Sequence, residues 1–161
     1  MTMNETFEKV GFKVENIQRE MIEEIVRKVI EQQLGQASSP GRVVDKSGVI
    51  SVKAADIKPE PFDTGKEGDK VFLTDIFSLD ESPRIGAGIM EMDQTVFDWT
   101  LKYDEVDYII DGTLEIIIDG RKIVGQKGDV ILIPRNTKIQ FSSPDKCRFM
   151  YVVYPANWEQ L

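Results

Sequence analysis

The sequence predicts an all-β domain preceded by a single amphipathic helix, and two observations carry that expectation. Apolar residues recur at helical spacing only near the start of the chain, and after residue 42 the period changes to two. From there many short β-rich runs follow one another, separated by turn dipeptides and with no helical pattern between them. That pattern belongs to a closed or two-sheet β structure: a barrel, a sandwich or a jelly roll.

The helix is expected over residues 16–34, NIQREMIEEIVRKVIEQQL, which contain neither Gly nor Pro. Ile17, Met21, Ile22, Ile25, Val26, Val29, Ile30 and Leu34 form an apolar stripe, and the charged residues fall mostly opposite. Asn16 suits the N-cap and Gly35 the position just past the end. Residues 1–35 are thus assigned to the helical segment. The small, polar, Pro40-Gly41-broken stretch 36–42 is assigned to a linker, and residues 43–161 to the β domain.

Within that domain the expected strands lie in VISVKAADI, KVFLTDIFSL, RIGAGIMEM, TVFDWTL, EVDYIID, TLEIIID, RKIVG, DVILIP, KIQFS and CRFMYVVYP. Chain reversals are expected at Asp111-Gly112, Asp119-Gly120, Lys127-Gly128 and Ser143-Pro144, with the clearest hairpin at Asp119-Gly120. Gly86 and Gly88 mark a bulge or close strand packing rather than a phosphate cradle, since no G-x-x-x-x-G-K-[ST] loop is present.

Composition narrows the function. The 161 residues carry a formal net charge of −8, which argues against nucleic acid or anionic membrane as partner. No apolar run approaches the ~20 residues of a membrane-spanning helix. The single cysteine, Cys147, alternates with Phe149 and Tyr151 and reads as inert packing, and with no signal-peptide run at the start a cytoplasmic setting is expected. Histidine is absent altogether, which excludes a Ser-His-Asp triad and a phosphohistidine relay.

Two stretches carry a family resemblance. Glu105, six further residues and Gly112 reproduce the second half of the first cupin motif, and Gly128-DVILI-Pro134 reproduces the first half of the second. Cupins are small jelly-roll barrels holding a divalent metal on three histidines and a glutamate. Here Trp99, Leu101 and Ile139 stand where the histidines would be, Asn136 stands at a motif glycine and Ser143 at a motif asparagine. Side chains without a lone pair to donate cannot bind the metal, so no His-bound transition metal is expected. WTLKYDEVDYIIDGTLEI, GDVILIPRNTKIQF and YPANW narrow the resemblance to the EutQ family of ethanolamine-utilisation proteins. That resemblance implies a bacterial microcompartment setting, acetate kinase activity with ATP and acetate as substrates and Mg²⁺ as cofactor, and, from cupins at large, a homodimer.

Strand parity places Trp99, Leu101, Tyr103, Glu105 and Asp107 on one face, toward the barrel lumen, with a turn near Tyr103-Asp104. Tyr103, Glu105 and Asp107 are the candidate catalytic groups. Two inward carboxylates share a hard cation such as Mg²⁺ or perturb each other's pKa, or else they are solvated on the strand of a filled barrel. Trp99 supplies an aromatic wall, and Lys102, Arg84 and Arg135 are the candidate cations at the mouth. The helix has two readings, a segment that docks on shell or enzyme partners and one that packs on its own barrel or its twin. Three functions stand open: an acetate kinase, a non-catalytic assembly protein, and a metal-free isomerase or lyase using Glu105 and Tyr103.

Overall fold

The computed structural model describes residues 41–161, together with Ile22 and Val26. Apart from those two residues, the helix expected over 16–34 and all but the end of the linker lie outside the described residues. Strands β1 (Arg42–Val44) and β2 (Ile50–Val52) form a small two-stranded sheet by themselves. The run expected as one strand over VISVKAADI is therefore β2 followed by a single 3-10 turn at Ala54–Asp56.

The main body is a seven-stranded antiparallel sheet closed around an apolar interior. Its strands are β3 (Glu60–Pro61), β4 (Val71–Asp75), β5 (Gly86–Thr100), β6 (Asp104–Ile118), β7 (Arg121–Gln126), β8 (Val130–Ile133) and β9 (Lys138–Tyr154). They run in the order β3-β4-β5-β9-β6-β7, with β8 paired to β6. β5, β6 and β9 are long strands of 15, 15 and 17 residues that make up most of the wall. β9 lies between the other two and bonds both along nearly its whole length.

Two expected reversals are corrected here. Asp111-Gly112 and Ser143-Pro144 do not turn the chain back; both lie inside continuous strands. At Gly112 (φ +77°) the register between β6 and β9 shifts, and opposite Ser143 the β5–β9 register shifts between Asp93 and Thr95. These bulges bend the long strands so that one strand serves two sides of the barrel. The first half of β6 bonds β8 and its second half bonds β7. The other two signals do reverse the chain. Asp119-Gly120 joins β6 to β7 with both residues at positive φ, as a two-residue hairpin requires, and Lys127-Gly128 leads into β8.

Parity then fills the interior. Cys147, Phe149, Tyr151 and Val153 alternate inward along β9 and meet Phe97, Leu101, Ile109, Leu114 and Phe141 in the core. Gly86 and Gly88 serve close packing: a Cβ on Gly88 would lie 2.0 Å from the Tyr151 hydroxyl, and one on Gly86 would lie 2.7 Å from Val153. Asn136 adopts φ +66° where the cupin motif has glycine, so the backbone bend survives the exchange.

Candidate functional site

The end of β5, the short reversal at 101–103 and the start of β6 deliver the predicted residues to one place. Leu101, Tyr103, Glu105 and Asp107 are all buried, and Trp99 is partly buried against the same core. Trp99 Nε1 donates to the Tyr103 hydroxyl oxygen at 2.8 Å. Tyr103 lies within hydrogen-bonding reach of Glu105, and Glu105 within reach of Asp107. The result is a polar chain running from indole to phenol to a pair of carboxyls, enclosed by hydrocarbon.

Burial governs its electrostatics. Desolvation raises the Glu105 carboxyl to about 7, against weaker lowering by hydrogen bonds from Asp107 and Tyr103. Asp107 is pushed well above the usual carboxylate range, first by burial and then by the charge of Glu105. Among the described residues no N–H or O–H group donates to either oxygen of Asp107. A proton shared between the two acids supplies the missing donor, as like charges this close do not ionise together. Burial and the adjacent Glu105 push the Tyr103 phenol upward, so it stays neutral and donates. The Cys147 thiol is raised to about 11, mainly by burial, in keeping with an inert packing role.

Two cavities adjoin this chain. The inner one is lined by Tyr103 and Glu105 within a wall of Phe62, Phe97, Trp99, Phe141, Tyr151 and Trp158, together with Leu73 and Met90. The centre of a water-sized sphere can sweep only ≈ 10 Å³ of it, about the room one water needs. Asp107, at 0% exposure, does not line it. The lumen is thus filled rather than open. Above it a mouth groove of ≈ 450 Å³ is lined by Phe62, Trp99, Tyr103 and Trp158 and rimmed by Thr64, Asp98, Thr100, Lys102 and Glu159.

Lys102 therefore reaches the groove, where its Nζ donates to the Leu161 main-chain oxygen at 2.9 Å. Arg84 and Arg135 are exposed and line neither cavity. Arg84 accepts a main-chain bond from Ala156, and the Arg135 N–H donates to Asp104. Sequence reasoning missed Trp158, Tyr151, Phe62, Phe97 and Phe141. The parity that placed Trp99 inward also reaches Phe97 two residues earlier and its cross-strand partner Phe141. Trp158 follows the last strand and has no periodic signal.

A barrel of long bent antiparallel strands with its candidate site in the lumen is the cupin jelly roll, here with Trp99, Leu101 and Ile139 in place of imidazole ligands. The cupin domain of Schizosaccharomyces pombe Cnp3 shares the fold, with a TM-score of 0.52 at 15% identity over 70% of this chain and 75% of that one. The sequence matches the family described as "Ethanolamine utilisation protein EutQ" over residues 17–160, and the chain belongs to that family. It is 49% identical to "Acetate kinase EutQ" of Clostridioides difficile strain 630, over 90% of this chain and 96% of that protein. It is 33% identical to "Acetate kinase EutQ" of Salmonella typhimurium strain LT2, over 91% of this chain but 64% of that longer protein. The solved structure of the Clostridium difficile EutQ protein superposes with a TM-score of 0.71 at 55% identity, over 73% of this chain and 88% of that one.

Proposed function

We propose that this ethanolamine-utilisation protein is a EutQ-type acetate kinase, converting ATP and acetate to ADP and acetyl phosphate. The observation that carries the reading is the 49% identity to a protein of that name across 96% of its length. In the reaction an acetate oxygen forms a bond to the γ-phosphorus while the bond from that phosphorus to the bridging oxygen of ADP breaks. Acetate is already ionised at neutral pH, so no general base is needed. The demand falls on placing the two anions and neutralising their charge.

The mouth groove has the volume of a small-molecule site, and Lys102 supplies a cation at its rim. Glu105, and Asp107 with its two unpartnered oxygens, have the donor chemistry of a hard cation site. Among the described residues no group of three or more acidic or thiol side chains could hold a metal, and the inner cavity, which Asp107 does not line, has room for about one water, so the pair would take a cation only with the lumen opened. Magnesium held there would supply charge neutralisation for the phosphates. Tyr103, fixed by the Trp99 N–H and kept neutral, orients Glu105 as a hydrogen-bond donor.

Purified protein given ATP, Mg²⁺ and acetate should form acetyl phosphate, trapped as a hydroxamate, and Glu105→Gln should lower the rate at least about 100-fold with the fold intact. Wild-type turnover no greater than that of a mock purification would remove the enzyme reading.

The filled lumen favours a second reading, a non-catalytic assembly protein of the microcompartment, whose segment 1–35 binds shell or enzyme partners. On that reading, deleting residues 1–36 abolishes co-localisation with the shell while the barrel stays folded. Unchanged encapsulation of the deletion variant rules it out. On either reading we place the protein in the cytoplasm, within a microcompartment, as a homodimer.

A further inference from the structure

We propose that the turn carrying Trp158 is a door to the barrel. By swinging outward it joins the mouth groove to the inner cavity and opens a pocket that contains Tyr103 and Glu105.

Trp158 occupies the centre of the aromatic wall. Its ring lies 5.7 Å from Tyr103, 6.2 Å from Tyr151, 6.3 Å from Phe62 and 6.4 Å from Trp99, centroid to centroid, and the residue is 6% exposed. The inner cavity beside it, which Glu105 also lines, has room for about one water. Three features mark this plug as movable.

The first is space. Trp158 lines the inner cavity, the mouth groove and a third cavity of ≈ 270 Å³ on the other side of the turn, beside Asp75, Phe77 and Gly86. A side chain of a settled core is surrounded on all sides, with few voids against it. This one has open volume on both flanks. The second is an unmet donor: Nε1 of Trp158 is buried with no hydrogen-bond partner among the described residues. The closed form leaves that N–H unsatisfied, whereas the open form gives it water, so the closed state is held less firmly than its burial alone implies.

The third is the tether. After β9, besides the ring packing of Trp158, the segment is joined to the barrel among the described residues by a main-chain bond from Ala156 N to Arg84 O at 2.9 Å and by the exposed Lys102 bond to Leu161 O at 2.9 Å. The remaining main-chain bonds, Gln160 to Asn157 and Leu161 to Trp158, lie inside the turn and travel with it. Opening therefore breaks Lys102's bond while Ala156 serves as the hinge. Segments held by few bonds open locally without unfolding the strands beneath them.

The inference rests on packing and does not depend on the phosphotransfer reading. The test is ¹⁹F NMR of the full chain labelled with 5-fluorotryptophan, whose two resonances are assigned with Trp99→Phe. A door gives Trp158 relaxation dispersion on the microsecond to millisecond scale, from exchange with a solvent-exposed state. Lys102→Met should raise the open fraction about three- to five-fold, the effect of losing one solvent-exposed contact of a charged group, with the β-sheet circular dichroism unchanged. A single narrow Trp158 resonance without dispersion, in both wild type and Lys102→Met, overturns the proposal. So does exchange at Trp158 that appears only together with global unfolding.

Discussion

Glu105 and Asp107 are the most consequential side chains in the molecule, because burial raises the Glu105 carboxyl to about 7 and pushes Asp107 well above the usual carboxylate range. The sign of the linkage follows directly. The folded chain keeps a proton on Glu105 up to about pH 7, whereas at the ordinary value of 4.5 an unfolded chain has already released it. Folding therefore takes up a proton in that window, and stability is greatest below it and falls as the pH rises through it. The loss attributable to Glu105 is roughly 3 kcal/mol, and the raised Asp107 extends the decline. Calorimetric Tm should drop between pH 5 and 8 in wild type and stay nearly flat in the double variant Glu105→Gln, Asp107→Asn; a wild-type Tm that rises over this range contradicts the buried-pair description. The inward direction of both acids was legible from strand parity. Their shared proton was not, because it depends on Phe, Trp and Tyr rings brought in from β9 and from beyond it, and on cations that sit elsewhere. Arg84 and Arg135 illustrate the same limit, since proximity to a predicted mouth in sequence says nothing about which way an exposed loop residue faces.

At the level of elements, the strand segments were legible but their continuity was not. Gly-containing dipeptides announce a departure from extended geometry, and that departure is a hairpin at Asp119-Gly120 but a bulge at Asp111-Gly112. What separates the two cases is the partner strand: β9 runs unbroken past Gly112, with the Lys146 main chain pressed against it. The glycine is required twice over there, for its φ of +77° and because a Cβ would lie 1.8 Å from the Lys146 oxygen. Gly112→Ala should accordingly cost roughly 2–4 kcal/mol in urea denaturation, while Gly48→Ala, with nothing within 4 Å, should cost only the backbone strain of about 1 kcal/mol. Equal losses at the two positions would show that the β6–β9 contact is not what fixes the bulge. The clash forces β9 away from β6 at the point where the barrel bends, so the variant should also loosen the strands that carry Glu105 and Asp107.

For the molecule as a whole, the outer face of β8, β6 and β9 leaves Leu132, Val130, Val106, Tyr108 and Tyr154 exposed, and the strand register sets Val106 beside Leu132 and Tyr108 beside Val130. An exposed apolar sheet face of this kind is the sort of surface that a two-fold interface covers, and we propose it as the contact of the proposed homodimer. Leu132→Glu, placing like charges opposite each other, should shift the protein from dimer to monomer in sedimentation analysis, whereas a wild type that already sediments as a monomer removes this face from consideration. The all-β class could be read from the period-two strands, the cupin barrel from Glu105, Gly112, Gly128 and Pro134, and the family from the longer stretches around them and YPANW, yet whether the lumen was open or filled could not, since that turned on Trp158 in a segment with no periodic pattern. The filled lumen in turn makes catalysis the claim to test at the site itself. The most direct measurement is ³¹P NMR of the reverse reaction, acetyl phosphate and ADP with Mg²⁺, in wild type and Glu105→Gln at matched concentration. ATP formed by wild type and abolished by Glu105→Gln, with the variant still folded, is the expected result; equal ATP from both proteins, or none from either, contradicts a kinase site built on Glu105.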